Sequence, residues 1–237
     1  MNIKTFKIAS ASIILSICSF ANAGLIDLNT WTATSGGNWI VDGSGTSVLQ
    51  TTNGNPTYFL SDINYINTQF DGTFGVETTG DDDFIGFAFG YNNSNDFLLF
   101  DWKQGNQSNA LAGFTLSQIS GSDVDFWGHT GSDITVLGTD YAPTKGWADN
   151  TVYNFSLDFT SNNIKIGIDG TNIFDVAGSF NSGKFGFYNY SQSQVRYTGF
   201  TEEIILPPDA TVPEPSTLAI FALGIMGLVS RKFKQAL

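Results

Sequence analysis

Short runs in which apolar and polar residues alternate dominate the sequence between residue 24 and about residue 205. In the clearest run, 152–159, every second residue from Tyr153 onward is aromatic or aliphatic. A period of two places those side chains on one side of an extended chain, which is typical of a strand with one face in a core and one in water. No long run has the 3.6-residue spacing of an amphipathic helix. The pattern therefore predicts an all-β domain.

Turn residues divide these runs into hairpins. The runs 84–91 and 96–103 are apolar on both faces, and the polar segment 92–95 between them predicts a turn joining two central strands. Asp169-Gly170 predicts a two-residue turn between a strand at 164–168 and its return strand, because both residue types tolerate positive φ.

Two later runs, 184–190 and 194–200, are expected to form a last pair of strands. About a dozen such runs over roughly 180 residues suit a two-sheet antiparallel β-sandwich of the jelly-roll type. With no repeat and no internal linker, we expect one domain over residues 24–206.

The N-terminus has the organisation of a secretory signal peptide over residues 1–23. Lys4 and Lys7 precede a short apolar run, and Ala23 ends a small-residue Ala-Asn-Ala motif, which predicts cleavage by signal peptidase before residue 24. A buried N-terminal helix and a lipoprotein acylated at Cys18 are the alternatives. Cleavage after Ala23 would remove the only cysteine, so the mature protein would contain no disulfide despite an oxidising destination.

The C-terminus combines a Pro-Glu-Pro motif, an apolar run over 218–229 and a basic end. On physical grounds this is a short membrane helix, shorter than the roughly 20 residues of a standard span. Its basic residues should stay in the cytoplasm, which leaves the preceding domain outside the inner membrane. Residues 207–211 are predicted to be a linker before this segment.

This tripartite pattern, over residues 212–235, resembles the PEP-CTERM sorting signal of Gram-negative bacteria. The resemblance implies recognition at Pro213, Glu214 and Pro215 by an exosortase, followed by removal of the tail. It also implies a secreted or cell-surface protein of a bacterium that makes exopolysaccharide, anchored only transiently in the inner membrane. A permanent C-terminal anchor is the alternative.

The charge balance excludes one class of partner. The chain has a formal net charge of −12, and its basic residues are concentrated at the two ends. Between residues 24 and 230, five basic residues stand against 22 acidic ones, a net charge of −17. Such a domain repels nucleic acids and anionic membranes, so we expect no binding to DNA or RNA.

A second resemblance rests on motifs inside the domain. The segments DDDFIGFAFGY at 81–91 and FLLFDWKQ at 97–104 resemble the C-terminal, lectin-like region of thrombospondins, and GKFGF at 183–187 fits in the same order. This resemblance implies a concanavalin A-like sandwich, calcium, and a role in adhesion or matrix contact. The disulfides and calcium-loaded repeats that accompany this region in thrombospondins have no counterpart here, so their receptor interactions are not carried over.

Calcium is the cofactor that the thrombospondin resemblance implies, and an acidic loop offers ligands for it. Ca²⁺ takes six to eight oxygen ligands, and Asp81, Asp82 and Asp83 stand where a loop enters a central strand. Because alternation sends neighbouring side chains to different sides, we expect two of the three, rather than all, to share an ion. A second oxygen-rich turn at 92–96 lies at the other end of the same strand. The alternative is a solvated acidic turn.

A sugar site would need an aromatic platform with acceptors beside it. Candidates in loop-like segments are Trp127, His129, Trp147 and Asp149, together with Tyr141. The alternative for each aromatic residue is the core, because the domain is rich in aromatic residues. The ligand proposed for such a site is extracellular polysaccharide.

Catalytic patterns are missing from the sequence. Glycosidases of this fold carry a Glu-x-Asp-x-x-Glu strand, but the four glutamates, Glu77, Glu202, Glu203 and Glu214, do not form it. A single histidine, no Gly-x-Ser-x-Gly motif and no mature cysteine leave no nucleophilic triad or zinc site. We therefore expect a non-catalytic protein of the extracellular matrix or exopolysaccharide layer that acts by calcium-dependent adhesion or carbohydrate binding. A purely structural matrix protein and a glycan hydrolase of this fold are the alternatives.

Overall fold

The computed structural model describes residues 24–205, which form fifteen β-strands and one short 3₁₀ helix at Leu28–Thr30. No helix within 24–205 is both long and apolar enough to cross a membrane. The strands are β1 Gly24–Leu25, β2 Thr32–Ala33, β3 Trp39–Val41, β4 Ser47–Gln50, β5 Thr57–Tyr65, β6 Thr68–Val76, β7 Phe84–Asn93, β8 Asp96–Lys103, β9 Gly113–Ile119, β10 Ile134–Tyr141, β11 Val152–Phe159, β12 Asn163–Ile168, β13 Thr171–Ala177, β14 Gly183–Tyr190 and β15 Val195–Ile204.

Two antiparallel sheets form the sandwich. Sheet A has the order β13-β12-β11-β6-β15-β4-β3, with β1 pairing to β15, and sheet B has the order β10-β9-β8-β7-β14-β5-β2. All pairings are antiparallel. Strands that follow one another in the sequence often lie in different sheets, so the chain crosses between the two layers several times. The predicted all-β sandwich is confirmed.

The predicted hairpins form, with one correction. β7 and β8 pair directly, as predicted. Strand β7 extends to Asn93, so the turn consists of residues 94 and 95 rather than of the predicted segment 92–95. Asp169 and Gly170 have φ of 47° and 74°, as their turn requires. The expected last pair was wrong: β14 lies in sheet B and β15 in sheet A. Local alternation identifies both strands, but the partner of each is set by the long-range packing of the two layers.

The main core lies between the sheets and is aromatic. The Phe87 ring of sheet B stacks on Phe100 at 4.7 Å and meets Phe155 of sheet A at 5.1 Å between centroids. Phe70 and Phe185 join the layers in the same way at 4.7 Å. Each such ring contributes roughly 1.5–3 kcal/mol by burial, so these contacts hold the layers together.

The outer faces of the two sheets differ. On sheet B, the segments 104–112 and 120–133 cover the outer face and form a second apolar cluster with it; Phe126 stacks on Phe97, and Trp127 packs edge-on against Phe84. The outer face of sheet A is polar and open to solvent. Strand β8 shows the consequence of alternation. Leu98, Phe100 and Trp102 enter the main core, whereas Phe97 and Leu99 belong to the second apolar cluster on the outer face.

Candidate functional site

The acidic triplet lies on the loop that leads from β6 into β7. One carboxylate oxygen from each of Asp81, Asp82 and Asp83 lies within 4.8 Å of the other two. Asp83 is buried, with 3% of its surface exposed, whereas the other two are half-buried. All three carboxylates come together because the residues precede β7 and do not alternate as a strand does, and which of them share an ion stays a prediction.

A buried ammonium group completes this cluster. Lys103 ends β8, and its Nζ donates to Asp83 Oδ1 at 2.7 Å, to Asp82 Oδ1 at 3.2 Å and to the Asp82 carbonyl oxygen at 3.0 Å. Its side chain has no exposed surface. The Nζ also lies 5.4 Å from the centre of the Phe84 ring. A lysine this deeply buried requires such partners, because an unpaired charge in the interior is very costly.

Sequence reasoning did not assign a role to Lys103, yet the predicted hairpin contains the necessary signal. A turn over 92–95 pairs residue 91 with 96 and therefore residue 84 with 103. The structure has the pairing between Phe84 and Lys103. It reaches that pairing through a two-residue turn, at which Asn93 pairs with Asp96, and a register shift between Phe89 and Asn93. The single cation at the end of an apolar strand is thus placed beside the acidic triplet by the register of the hairpin.

The cluster fits a hard divalent cation. Three carboxylates and one ammonium leave a net charge of about −2. Burial, and then the neighbouring Asp83 carboxylate, raise the pKa of Asp81 above its ordinary value, since these oxygens repel one another. Oxygens that Lys103 does not engage remain on all three side chains. Such a set of carboxylate oxygens is what Ca²⁺ prefers.

Two of the predicted sugar-binding residues instead support this loop. Trp147 is only 2% exposed, and its Nε1 donates to the Asp83 carbonyl oxygen at 3.0 Å. Asp149 accepts a hydrogen bond from Gln104 Nε2 at 3.0 Å. The Trp147 ring belongs to the main core, which contradicts the prediction that it forms a platform for a sugar.

The other two predicted residues fasten segment 120–133 to sheet B. The Trp127 ring lies 5.0 Å from the Lys103 ammonium, and its Nε1 donates to the Gln107 carbonyl oxygen at 3.2 Å. His129 adopts a φ of 51°, and its ring turns inward to contact Asp101 Oδ2 at 2.8 Å. Only 6% of the His129 side chain is exposed, so its ring does not face solvent in this conformation.

The pair between His129 and Asp101 is buried, and it is an ion pair when the histidine is protonated. Burial by itself lowers the pKa of His129, but the nearby Asp101 carboxylate outweighs it, so the net pKa is raised above its ordinary value. Asp101 Oδ1 has no hydrogen-bond partner. Tyr141, the remaining aromatic candidate, shares a 2.7 Å hydrogen bond with Thr115 Oγ1. The His129 contact therefore joins segment 120–133 to sheet B, and the Tyr141 contact joins the neighbouring strands β9 and β10.

The predicted residues therefore meet, but in a different arrangement from the one expected. Asp82, Asp83 and Trp127 contact Lys103 directly, and Trp147 contacts the loop that carries the acidic residues. The predicted processing residues Ala23, Pro213, Glu214 and Pro215 lie outside the described residues and stay predictions, as do the membrane helix over 212–235 and the linker over 207–211.

Residues 34–121 match the family model of the thrombospondin C-terminal region. The chain is 33% identical to human thrombospondin-3 over 138 residues, which cover 51% of this chain and 14% of that protein. It thus spans only a small part of the length of this curated relative. The matched region contains the acidic triplet and all of β7 and β8.

Solved structures with the same fold include a carbohydrate-binding module. The carbohydrate-binding module CBM66 from Bacillus subtilis superposes with a TM-score of 0.56 at 14% identity, covering 73% of this chain and 95% of that module. The exoplasmic/lumenal domain of VIP36, in a Ca²⁺- and mannose-bound form, gives 0.55 at 12% identity, covering 77% of this chain and 86% of that domain. At these identities the likeness establishes a lectin-like β-sandwich.

The C-terminal segment has its own match. Residues 211–234 match the model of the PEP-CTERM protein-sorting motif, in agreement with the limits expected from the sequence. This motif implies secretion or a cell-surface location in a Gram-negative bacterium. The chain therefore joins a segment matching the thrombospondin C-terminal region, within a lectin-like β-sandwich, to a PEP-CTERM sorting motif.

Proposed function

We propose that this protein is a non-catalytic component of the extracellular matrix or exopolysaccharide layer, acting by calcium-dependent adhesion or carbohydrate binding. The observation that carries the proposal is the convergence of Asp81, Asp82 and Asp83 within 4.8 Å on a lectin-like sandwich. Supporting it are the match to the thrombospondin C-terminal region and the VIP36 structure, which was solved with Ca²⁺ and mannose.

Processing forms the second part of the proposal. Signal peptidase removes residues 1–23, the C-terminal helix holds the protein transiently in the inner membrane, and an exosortase acts at Pro213, Glu214 and Pro215. The support is the match at residues 211–234. Mass spectrometry of the exported protein tests this step: a mature protein that begins at residue 24 and lacks the basic C-terminal end is expected. A full-length C-terminus would instead indicate a permanent anchor.

The arrangement of the carboxylates favours binding over hydrolysis. A glycosidase places its two carboxyl groups on either side of the scissile bond. Here the three carboxylates converge on one point, and the Lys103 ammonium already engages two of them. That geometry suits a cation held by several oxygens better than a sugar held between an acid and a nucleophile.

Binding to a glycan array, with excess calcium and with EDTA, tests the proposed function. Binding that requires calcium is the expected result. Binding to no glycan under either condition would favour a structural matrix protein without a discrete ligand site. Release of reducing sugar from polysaccharide during incubation would favour a hydrolase, so a turnover assay is run beside the array.

A further inference from the structure

The outer face of sheet A carries a groove of about 430 Å³. Gly75 of β6 forms its floor, and Val152 of β11 and Arg196 of β15 flank that floor in one row across three paired strands. Glu77 lies at one end of the groove and Thr198 at its side. The volume is within the range of small-ligand and cofactor sites, roughly 300–1,000 Å³.

The floor of the groove is low because residue 75 is glycine. A Cβ atom at this position would lie 2.6 Å from the Thr151 carbonyl oxygen, so the close approach of β11 requires glycine. The same absence of a side chain leaves the space between Val152 and Arg196 open. Val152 is 68% exposed and offers a small apolar wall without any aromatic ring.

An ion pair forms the polar wall. Arg196 Nε donates to Glu77 Oε1 at 2.5 Å, and Nη2 donates to Oε2 at 3.1 Å, which is a bidentate pair. Arg196 Nη1 also donates to Ser47 Oγ at 3.3 Å. The hydrogen bond to Glu77 raises the pKa of Arg196, so the charge is fixed.

This wall offers donors and acceptors side by side. A guanidinium has five N–H donors and a carboxylate about four acceptor positions, so the pair keeps unused capacity of both kinds. Both side chains remain partly exposed, at 38% for Arg196 and 44% for Glu77. A hydroxyl group both donates and accepts, and neighbouring hydroxyls on one sugar ring match such a wall while the C–H face lies against Val152.

The balance of charge indicates which glycan fits. Residues 24–205 contain 20 acidic and five basic residues, so the domain as a whole repels polyanions. Within the groove, the charges of Glu77 and Arg196 cancel each other. An uncharged polyhydroxylated chain therefore meets hydrogen-bonding groups without a net electrostatic penalty, whereas a uronate-rich chain meets both Glu77 and the acidic field of the domain.

We propose that the groove over Gly75, between Val152 and the Arg196–Glu77 pair, binds a short segment of neutral polysaccharide. The inference rests on the proposed function, because it places the carbohydrate site of that function on sheet A, away from the aromatic residues that the sequence indicates. The groove and the acidic triplet are joined through one loop of the chain. Glu77 begins the loop that ends with the acidic triplet, and its backbone N–H donates to the Gln194 carbonyl oxygen at 2.7 Å.

Affinity electrophoresis of the full chain tests the inference, using native gels that contain calcium together with dextran, galactomannan or alginate. Retardation of the wild type by a neutral polysaccharide is expected. Arg196→Gln should weaken binding at least tenfold, and Lys165→Gln is the matched control, because Lys165 lies on the same face of sheet A in a separate groove of about 250 Å³. Circular dichroism checks that each variant is folded.

A second variant tests the groove while leaving the Arg196–Glu77 ion pair unchanged. Val152→Asp places a carboxylate in the apolar wall of the groove and should also abolish retardation, while Val136→Asp, at an exposed position of β10, should have no effect. Retardation that survives both Arg196→Gln and Val152→Asp would overturn the groove while leaving the proposed function in place. Retardation by alginate alone would overturn the choice of a neutral glycan, and no retardation in any gel would overturn both proposals.

Discussion

Replacing Asp81 with asparagine should have opposite effects on stability with and without calcium. In the absence of calcium, Asp81 faces two carboxylates and one ammonium at short range, a net repulsion of about one charge. At 4.8 Å that repulsion is about 0.9 kcal/mol even with the screening of bulk water. Asp81→Asn removes it and keeps an oxygen that can accept the hydrogen bond from Asn53.

The magnitudes make the two effects separable. For a domain of this size, 1 kcal/mol moves the midpoint by about 2–4 °C, so the calcium-free variant should melt about 2–4 °C above the wild type. Calcium at about a hundredfold excess over Kd stabilises the wild type by about 2.7 kcal/mol. A tenfold loss of affinity reduces that gain to about 1.4 kcal/mol, so the variant should respond about half as strongly.

The assay is thermal unfolding by circular dichroism, in EDTA and in excess calcium chloride. The control is Asp62→Asn, an exposed carboxylate on β5 outside the cluster, which should leave the calcium response unchanged. An Asp81→Asn variant with the full calcium response would refute the metal site. A calcium-free variant that melts below the wild type would refute the repulsion argument. Asp83→Asn is unsuitable as the first test, because Asp83 also holds the buried Lys103.

Three further predictions concern the framework of the site. Lys103→Met leaves the Asp83 carboxylate buried without its ammonium partner and should cost about 3–5 kcal/mol in urea unfolding, and the double variant with Asp83→Leu should recover part of that loss. His129 has a raised pKa, so its ion pair with Asp101 stabilises the fold fully below the ordinary histidine pKa of about 6.5, and that contribution is lost as the pH rises through the raised value. The stability difference between the wild type and His129→Asn should therefore shrink from about pH 6 to about pH 9, and an equal difference at both would contradict the charged pair. Gly146→Ala would place a methyl carbon 1.7 Å from a backbone oxygen, so a marked fall in the thermal midpoint is expected, and an unchanged midpoint would show that the loop adjusts freely.

Predictions from the sequence were most successful where local chemistry decides the structure. Alternation predicted β11 and β12, and Asp169-Gly170 predicted their connection to β13, because a strand and a tight turn need only neighbouring residues. The pairing of 184–190 with 194–200 failed, since which layer a strand joins depends on residues more than a hundred positions away.

The candidate site shows the same division. The acidic triplet could be read directly from the sequence, and hairpin register would also have placed Lys103 beside it. That Trp147 lies in the core and His129 turns inward to Asp101 depends on where segments 104–112 and 120–133 cross sheet B. No local pattern encodes that crossing.

By itself, the sequence determined the class of fold, the acidic triplet and the sorting motif, because each is written in residues that are close together in the chain. Only the tertiary structure decided which side chains are accessible. It buried Trp147, turned His129 toward Asp101, brought Lys103 to the acidic cluster and opened a groove over Gly75 between strands that are far apart in sequence. The physical reason is that accessibility follows from the packing of two layers, and packing joins residues that the sequence separates.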